Sequence, residues 1–129
     1  MTPDEFADRL DAAADRLPET IEQAVAHTAM IGVGRIRAGA SGRPGPNVIT
    51  GHYRASWEPD RGRRIPYGAE CTIGSRAPQS RRLEFGFTGY DSLGRHYDQP
   101  PFPHVGPAIP AMEQVLKAQM LHAAREALA

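Results

Sequence analysis

The sequence predicts an α+β fold in which a long N-terminal helix and a C-terminal helix pack on a small, mainly antiparallel sheet. Three observations predict this class. Apolar residues recur at helical spacing at both ends of the chain, apolar and polar residues alternate in the middle, and the segments follow one another as helix, strands, long loop and helix. The length of 129 residues suits a single domain, 1–129, with a modest core.

The first 37 residues are expected to be helical. Thr2 can cap the helix, Pro3 lies in the first turn, and Glu5 is placed to close a capping box. Apolar residues then form one stripe at spacings of three and four: Phe6, Leu10, Ala13, Ala14 and Leu17, followed by Ile21, Ala24 and Val25. Pro18 interrupts the stripe, so either a second helix begins there or one long helix is kinked.

A small sheet is predicted over residues 52–87, after a loop at 38–51 that is dense in glycine and proline. The first predicted strand, 52–58, has three residues on its buried side: Tyr53, Ala55 and Trp57. The second, 69–75, has Ala69, Cys71 and Ile73 on that side. Leu83, Phe85 and Phe87 alternate likewise, although residues 78–83 could equally form a short helical turn.

A long irregular loop is predicted over 88–107, because glycine and proline there disfavour helices and central strands. The loop is rich in aromatic residues, which solvated linkers lack, so we interpret it as a docking surface. An amphipathic helix over 108–128 closes the chain, with its apolar face at Ile109, Met112, Leu116, Met120 and Ala123.

The charges balance in total but not along the chain. Fifteen basic residues stand against fifteen acidic ones. Residues 1–31 carry seven acids and two arginines, a net charge of −5, whereas 32–99 carry eleven arginines and six acids, a net charge of +5. A dipolar subunit of this kind can bind its own neighbours, acidic face to basic face.

No catalytic constellation stands out, and we expect neither an enzyme nor a cofactor. Because the chain has a single cysteine, it can form neither an intramolecular disulfide nor a cysteine-based zinc site. The best metal candidate is Asp91, His96 and Asp98, with Glu84, although their spacing matches no recognised ligand pattern. Two alternatives stay open: a nucleic-acid-binding module that uses the arginines of 35–82, and a small metal-dependent hydrolase.

The N-terminus is polar and acidic, unlike a signal peptide, and no apolar run approaches the ~20 residues of a membrane span. We therefore expect a soluble protein made in a reducing cytoplasm.

Three segments together resemble the neck and tail-completion proteins of long-tailed phages, a family of small head–tail joining or minor tail proteins similar to the lambda tail-completion protein. The first is Thr50–Trp57, with its threonine-glycine, arginine, small, serine, hydrophobic order. The second is Leu83–Gly86, an apolar-Glu-apolar-Gly signature. The third is Pro101–Pro103 with Pro107 and Ala108 before the last helix. The insertion between the second and third segments is longer and more aromatic than the shortest family pattern.

The resemblance implies a structural virion protein of the neck, without catalysis or cofactor, made in the host bacterial cytoplasm. It implies self-association as a ring, with six-fold symmetry as the natural expectation, because contacts that close make cyclic assemblies. The implied partners are other neck and tail proteins, such as the head-closure stopper, the tail terminator and the tail tube. DNA would pass through the lumen of the ring, and no membrane is involved.

The candidate interface residues are acidic residues of the first helix, charged residues of the middle segment and aromatic or arginine anchors of the loop. They are Asp8, Asp11, Arg81, Arg82, Glu84, Phe85, Tyr90, Arg95, Tyr97 and Phe102.

Overall fold

The computed structural model describes all 129 residues and confirms the α+β class. The helices are α1 Pro3–Gly39, α2 His52–Ala55, α3 Ser80–Phe85 and α4 Ile109–Leu128. The strands are β1 Glu58–Pro59, β2 Arg63–Ile65, β3 Gly68–Glu70, β4 Ile73–Gly74, β5 Phe87–Tyr90 and β6 His96–Gln99. A 3-10 turn, Gly106–Ala108, leads into α4. None of the helices combines the length and apolar content that crossing a bilayer requires.

The first helix carries the predicted capping box. The Glu5 amide donates to Thr2 Oγ1 at 3.2 Å, and the Thr2 amide donates to Glu5 Oε2 at 2.9 Å. The helix runs through Pro18 without a break, so the alternative in which a second helix begins there is wrong. Proline removes one backbone donor, and a 37-residue helix tolerates that loss because the turns on both sides keep their own bonds.

The closing helix, α4, packs antiparallel to α1. Arg9 and Arg16, near the start of α1, donate to the carbonyls of Leu128 and Ala127 at the end of α4. The buried positions of the pair are small, with Ala13 and Ala24 on α1 and Ala123 and Ala127 on α4. The helix predicted over 108–128 is confirmed, and alanine rather than leucine forms its most buried positions.

The strands form three separate two-stranded antiparallel ribbons, β1–β4, β2–β3 and β5–β6, instead of one small sheet. The strand predicted over 69–75 is split into β3 and β4. Asp60 causes the interruption, because its Oδ1 accepts from Gly62 N at 2.8 Å and from Thr72 N at 3.0 Å. The backbone amides of Thr72 and Gly62 hold the pKa of Asp60 below its usual value.

The strand predicted over 52–58 is wrong, because residues 52–55 form the short helix α2. Tyr53 and Trp57 are four residues apart, a spacing that puts them on one side of a strand and also on one side of a helix. Gly51 decides between the two, since its φ of 86° is left-handed and its carbonyl accepts from Ala55 N at 3.0 Å.

Two further predictions are corrected between α3 and α4. Residues 80–85 form a helix, so a helical turn is the correct type of structure here. The strand that the alternation of Leu83, Phe85 and Phe87 indicated is wrong for residues 83–85. The irregular loop predicted over 88–107 contains a β-hairpin, β5–β6. A two-stranded ribbon has no central strand, so Gly89 is tolerated inside it and the prolines lie beyond its end.

The chain exposes far more surface than a compact protein of its size. Only 15 of 129 residues are buried, and the accessible surface is 9161 Å². A compact monomer of 14.0 kDa exposes about 6,700 Å², roughly 2,500 Å² less. The core is a small cluster at the end of α1, formed by Ile36, Trp57 and Ala108. That residues 1–129 act as one domain stays a prediction.

Position 32, where α1 packs against α4, should require glycine because a side chain there has no room. A Cβ at Gly32 would lie 2.2 Å from Met112 Sδ and 2.9 Å from Ile73 Cδ1, whereas a Cβ at Gly34 meets nothing within 4 Å. Relative to Gly34→Ala, we expect Gly32→Ala to lower the free energy of unfolding by about 1 kcal/mol, at the low end for overpacking, because the Met112 and Ile73 side chains have to shift. The gain in helix propensity is the same in both variants, so it cancels. Chemical denaturation of both variants at one protein concentration measures the difference, and equal stabilities would contradict this packing.

Candidate functional site

The three motif segments, 50–57, 83–86 and 101–108, meet in one cluster although they are far apart in sequence. Tyr53 and Trp57 come from the first segment, Glu84 from the second and Ala108 from the third, while His104 lies between the two parts of the third. The cluster is built on the core residue Ile36 at the end of α1. The residues that carry the family resemblance therefore also organise the fold.

Glu84 is the central residue of this cluster. Its Oε2 accepts from the amides of His104 at 2.8 Å and Val105 at 3.0 Å, and its Oε1 accepts from Gly106 N at 2.9 Å. Its side chain is 11% exposed. Burial raises the pKa of the carboxyl, but the three backbone donors together outweigh burial, so the pKa lies below its ordinary value. The ionised carboxylate holds the entry to α4 against α3.

The His104 side chain is fully buried and bonded on both sides. Its Nδ1 lies 2.8 Å from the carbonyl of Phe102 and 3.1 Å from Glu84 Oε2, and both of these atoms only accept. Nδ1 therefore carries a proton, and Nε2 can accept from the Tyr53 hydroxyl at 2.5 Å. Burial raises the pKa of Tyr53, which keeps its hydroxyl protonated as a donor.

Trp57 closes the cluster from the other side. Its ring meets those of Tyr53 and His104 edge to face, with centroid separations of 6.4 Å and 5.7 Å. Its carbonyl accepts from Arg37 Nε at 3.1 Å and from Arg37 Nη2 at 2.7 Å, which ties this segment to α1. The indole Nε1 is buried and has no hydrogen-bond partner. Trp57 is 8% exposed, so the interpretation of this residue as a core residue is confirmed.

The predicted metal candidates are not brought together. Asp91 accepts from Arg95 and Tyr97 at the hairpin tip, while Glu84 lies inside the buried cluster. No group of three or more His, Cys, Asp or Glu side chains is close enough to hold a metal ion.

The candidate interface residues are distributed over three places. Asp8 and Asp11 lie exposed on α1, and Arg81, Arg82 and Phe85 lie exposed on α3. Three others lie on the hairpin: Tyr90, Arg95 and Tyr97. Two candidates differ from expectation. Glu84 points inward and accepts from backbone amides instead of lying free at the surface for an interface, and Phe102 is half-buried beneath the Arg43 guanidinium at 3.8 Å.

Sequence reasoning missed His104 and the structural role of Asp91. His104 stands between Pro103 and Val105 with no partner at metal-ligand spacing, so nothing local marks it as buried. Asp91 follows a strand and precedes Gly94 by three positions, which is a turn signal that the prediction of an irregular loop overlooked.

Most arginines of the basic segment are engaged within the subunit. Arg63 and Arg64 pair with Glu70 and Glu22. Others bond or stack on neighbouring groups: Arg37, Arg43, Arg54, Arg82 and Arg95. Four exposed arginines keep free side chains: Arg35, Arg61, Arg76 and Arg81. The surface available for a polyanion is therefore smaller than the composition indicates.

Comparison with known proteins found one family. A family model described as "Bacteriophage HK97-gp10, putative tail-component" matches residues 4–86, more than half of the chain. The matched region contains α1, the first motif segment and the second, including Glu84. Comparisons with curated proteins and with solved structures found no match.

Glu84→Gln should destabilise the subunit at neutral pH. An amide keeps one acceptor oxygen in place of two and loses the charge, so we expect a loss of about 2–3 kcal/mol in the free energy of unfolding. Glu58→Gln is the matched control, since Glu58 is exposed and makes no side-chain hydrogen bond. Urea denaturation compares the two.

The effect of Glu84→Gln should depend on pH. Because the folded-state pKa is below the ordinary 4.5, the contribution of Glu84 is fully present above about that value and is lost as pH falls through the folded-state pKa. The difference between the wild type and Glu84→Gln should therefore shrink in acid. A difference that stays constant from pH 7 to strongly acidic conditions would contradict this account.

Proposed function

Since the chain belongs to the HK97-gp10-like family of bacteriophage tail components, we propose that it is a non-enzymatic structural subunit of the phage neck. It occupies a tail-completion or connector position between the head and the tail tube. Several copies form a closed ring there, six-fold in keeping with the tail. Its neighbours are the head-closure stopper, the tail terminator and the tail tube, and DNA passes through the lumen.

The observation that carries this proposal is the surplus of exposed surface. The roughly 2,500 Å² beyond a compact monomer falls in the 2,000–5,000 Å² range of obligate interfaces. Large apolar side chains contribute to the exposed surface, among them Phe6 at 55%, Phe85 at 75% and Leu121 at 52% exposure. Such side chains lie on separate elements, which favours a subunit with neighbours on several sides over a simple dimer.

The charge distribution supports contacts of the head-to-tail kind. The acidic residues of α1 all lie in about its first half, within residues 4–22. The free arginines Arg61 and Arg76 lie in the loops that follow β1 and β4. Two complementary surfaces on one subunit generate a ring when the rotation closes. The engaged arginines disfavour the alternative of a nucleic-acid-binding module, because bonded guanidinium groups contribute less to phosphate contacts.

Deleting the gene should prevent normal head–tail joining. We expect DNA-filled heads and separate tails by electron microscopy, and a fall of infectious titre that a plasmid copy of the wild-type gene restores. The protein itself should be found in purified particles by mass spectrometry. Normal particle morphology and titre after deletion would overturn the proposal.

Reversing acidic charges on α1 should weaken assembly. We expect Asp8→Lys and Asp11→Lys, separately and together, to lower the fraction of ring measured by native mass spectrometry, and high salt to reduce ring formation by the wild type. Glu58→Lys makes the same charge reversal on an exposed side chain outside the acidic first half of α1 and serves as control. Assembly that responds equally to all three substitutions would show that the acidic half of α1 has no specific role.

A further inference from the structure

We propose that the β5–β6 hairpin of one subunit docks into an apolar groove on a second copy of this chain. The docking hairpin comprises residues 87–99. The apolar groove lies between α1, the β3–β4 segment and α4, and its apolar lining includes Val25, Ala29, Cys71, Ile73, Ile109 and Leu116. This inference rests on the proposed ring and specifies which surfaces of adjacent subunits meet.

The docking hairpin has almost no packing within its own subunit. Its strands contact mainly each other. Its attachments to the body are at its base, where the Arg82 guanidinium lies 3.9 Å from the centre of the Phe87 ring and Gln99 Nε2 donates to the Arg82 carbonyl at 3.4 Å. A two-stranded hairpin is marginally stable in water unless another surface packs against it. In the proposed ring, a second copy of the chain supplies that surface.

The outer face and tip of the hairpin carry the side chains of an interface anchor. The register pairs Tyr90 with His96 on this face, and their rings meet edge to face at 5.0 Å. Tyr90 is 71% exposed, and Leu93 at the tip is 75% exposed. Aromatic residues dominate interface hot spots when they enter a desolvated pocket.

The hairpin tip is a turn closed by its own hydrogen bonds. Asp91 Oδ1 accepts from the amides of Leu93 at 2.9 Å and Arg95 at 2.8 Å, and Asp91 Oδ2 accepts from Arg95 Nε at 2.5 Å. Gly94 has a left-handed φ of 78°, which completes the turn. When the hairpin is formed, these bonds fix the shape of its tip, so docking does not have to reshape the turn.

The apolar groove has the chemistry to receive this tip. It is an open depression of about 320 Å³ with α1 as its floor. Ile109 is 45% exposed and Leu116 is 37% exposed, so large apolar side chains face solvent in the free subunit. Glu113 lines the groove without an ion-pair partner, and Arg95 next to the tip bonds Asp91 only through Nε, so its two Nη groups can donate to Glu113.

A second cleft is larger but fits the tip less well. It measures about 790 Å³, and its lining combines apolar side chains such as Val48, Ile49 and Leu83 with Arg43 and Arg54, whose positive charge disfavours the approach of Arg95 at the tip. Gln99 and Phe102 also line it, so it adjoins the base of the hairpin of its own subunit. The hairpin and the apolar groove, in contrast, involve different elements of the chain, which is the arrangement that a head-to-tail ring requires.

The native Cys71 in the apolar groove makes the contact directly testable. Ser92→Cys places a second thiol at the exposed tip without removing Tyr90 or Leu93, and Ser92 makes no hydrogen bond. A short bis-maleimide is added to assembled particles at mildly alkaline pH, because burial raises the pKa of the Cys71 thiol. Cross-linked species are then resolved by denaturing gel and immunoblot.

We expect a ladder of covalent oligomers with Ser92→Cys and none above dimer when Cys71→Ser is combined with it. A triple variant, Ser92→Cys with Ile49→Cys and Cys71→Ser, probes the larger cleft in the same way. A ladder with this triple variant and none with Ser92→Cys alone would overturn the assignment of the groove. Assembled particles without any ladder would overturn the docking but leave the ring intact. A protein absent from particles and monomeric in solution would overturn the ring as well.

A second variant separates docking from folding. Tyr90→Ala combined with Leu93→Ala should raise the subunit dissociation constant about tenfold or more, while the melting temperature of the dilute monomer stays unchanged. Thr88→Ala, on the same outer face nearer the base, is the control and should have a smaller effect. Unchanged assembly by Tyr90→Ala with Leu93→Ala would show that the tip is not an anchor.

Discussion

The bond between the Glu84 carboxylate and three successive backbone amides, at 104–106, is the interaction on which the rest of the structure depends. These amides stand at the entry to α4, where backbone donors have no acceptor within a helix and where negative charge is favourable. With this entry fixed, His104 reaches Tyr53, and α4 runs back along α1. One carboxylate thus couples α3, the cluster and the two long helices.

This construction leaves a small core and long extensions. The core lies around Ile36, Trp57 and Ala108, whereas the α1–α4 pair is joined largely through alanines and the docking hairpin contacts little besides itself. Each extension exposes apolar side chains that a free globular protein would cover. Exposed apolar surface of this kind agrees with a structural component of a phage tail and with the ring that we propose.

Local signals predicted the helices well and the middle of the chain poorly. The capping box at Thr2 and the periodicity of 108–128 depend on residues that are close together in the chain, so both can be recognised from the sequence. The spacing of Tyr53 and Trp57 fits both a strand and a helix, and only the left-handed Gly51 resolves it. Glu84 looked like a surface charge because its amide partners lie twenty residues away. The buried ring of His104 depends on the same long-range contact and has no local signal.

Hydrogen exchange with mass spectrometry, on the free subunit and on assembled particles, tests most directly the claim that neighbouring subunits complete this fold. We expect peptides covering 24–36 and 104–108 to be protected in both states, since Glu84 and the core hold them in the monomer. Peptides covering 87–99 should exchange rapidly in the free subunit and become protected only after assembly. A hairpin that is equally protected in both states, or equally unprotected in both, would contradict the account.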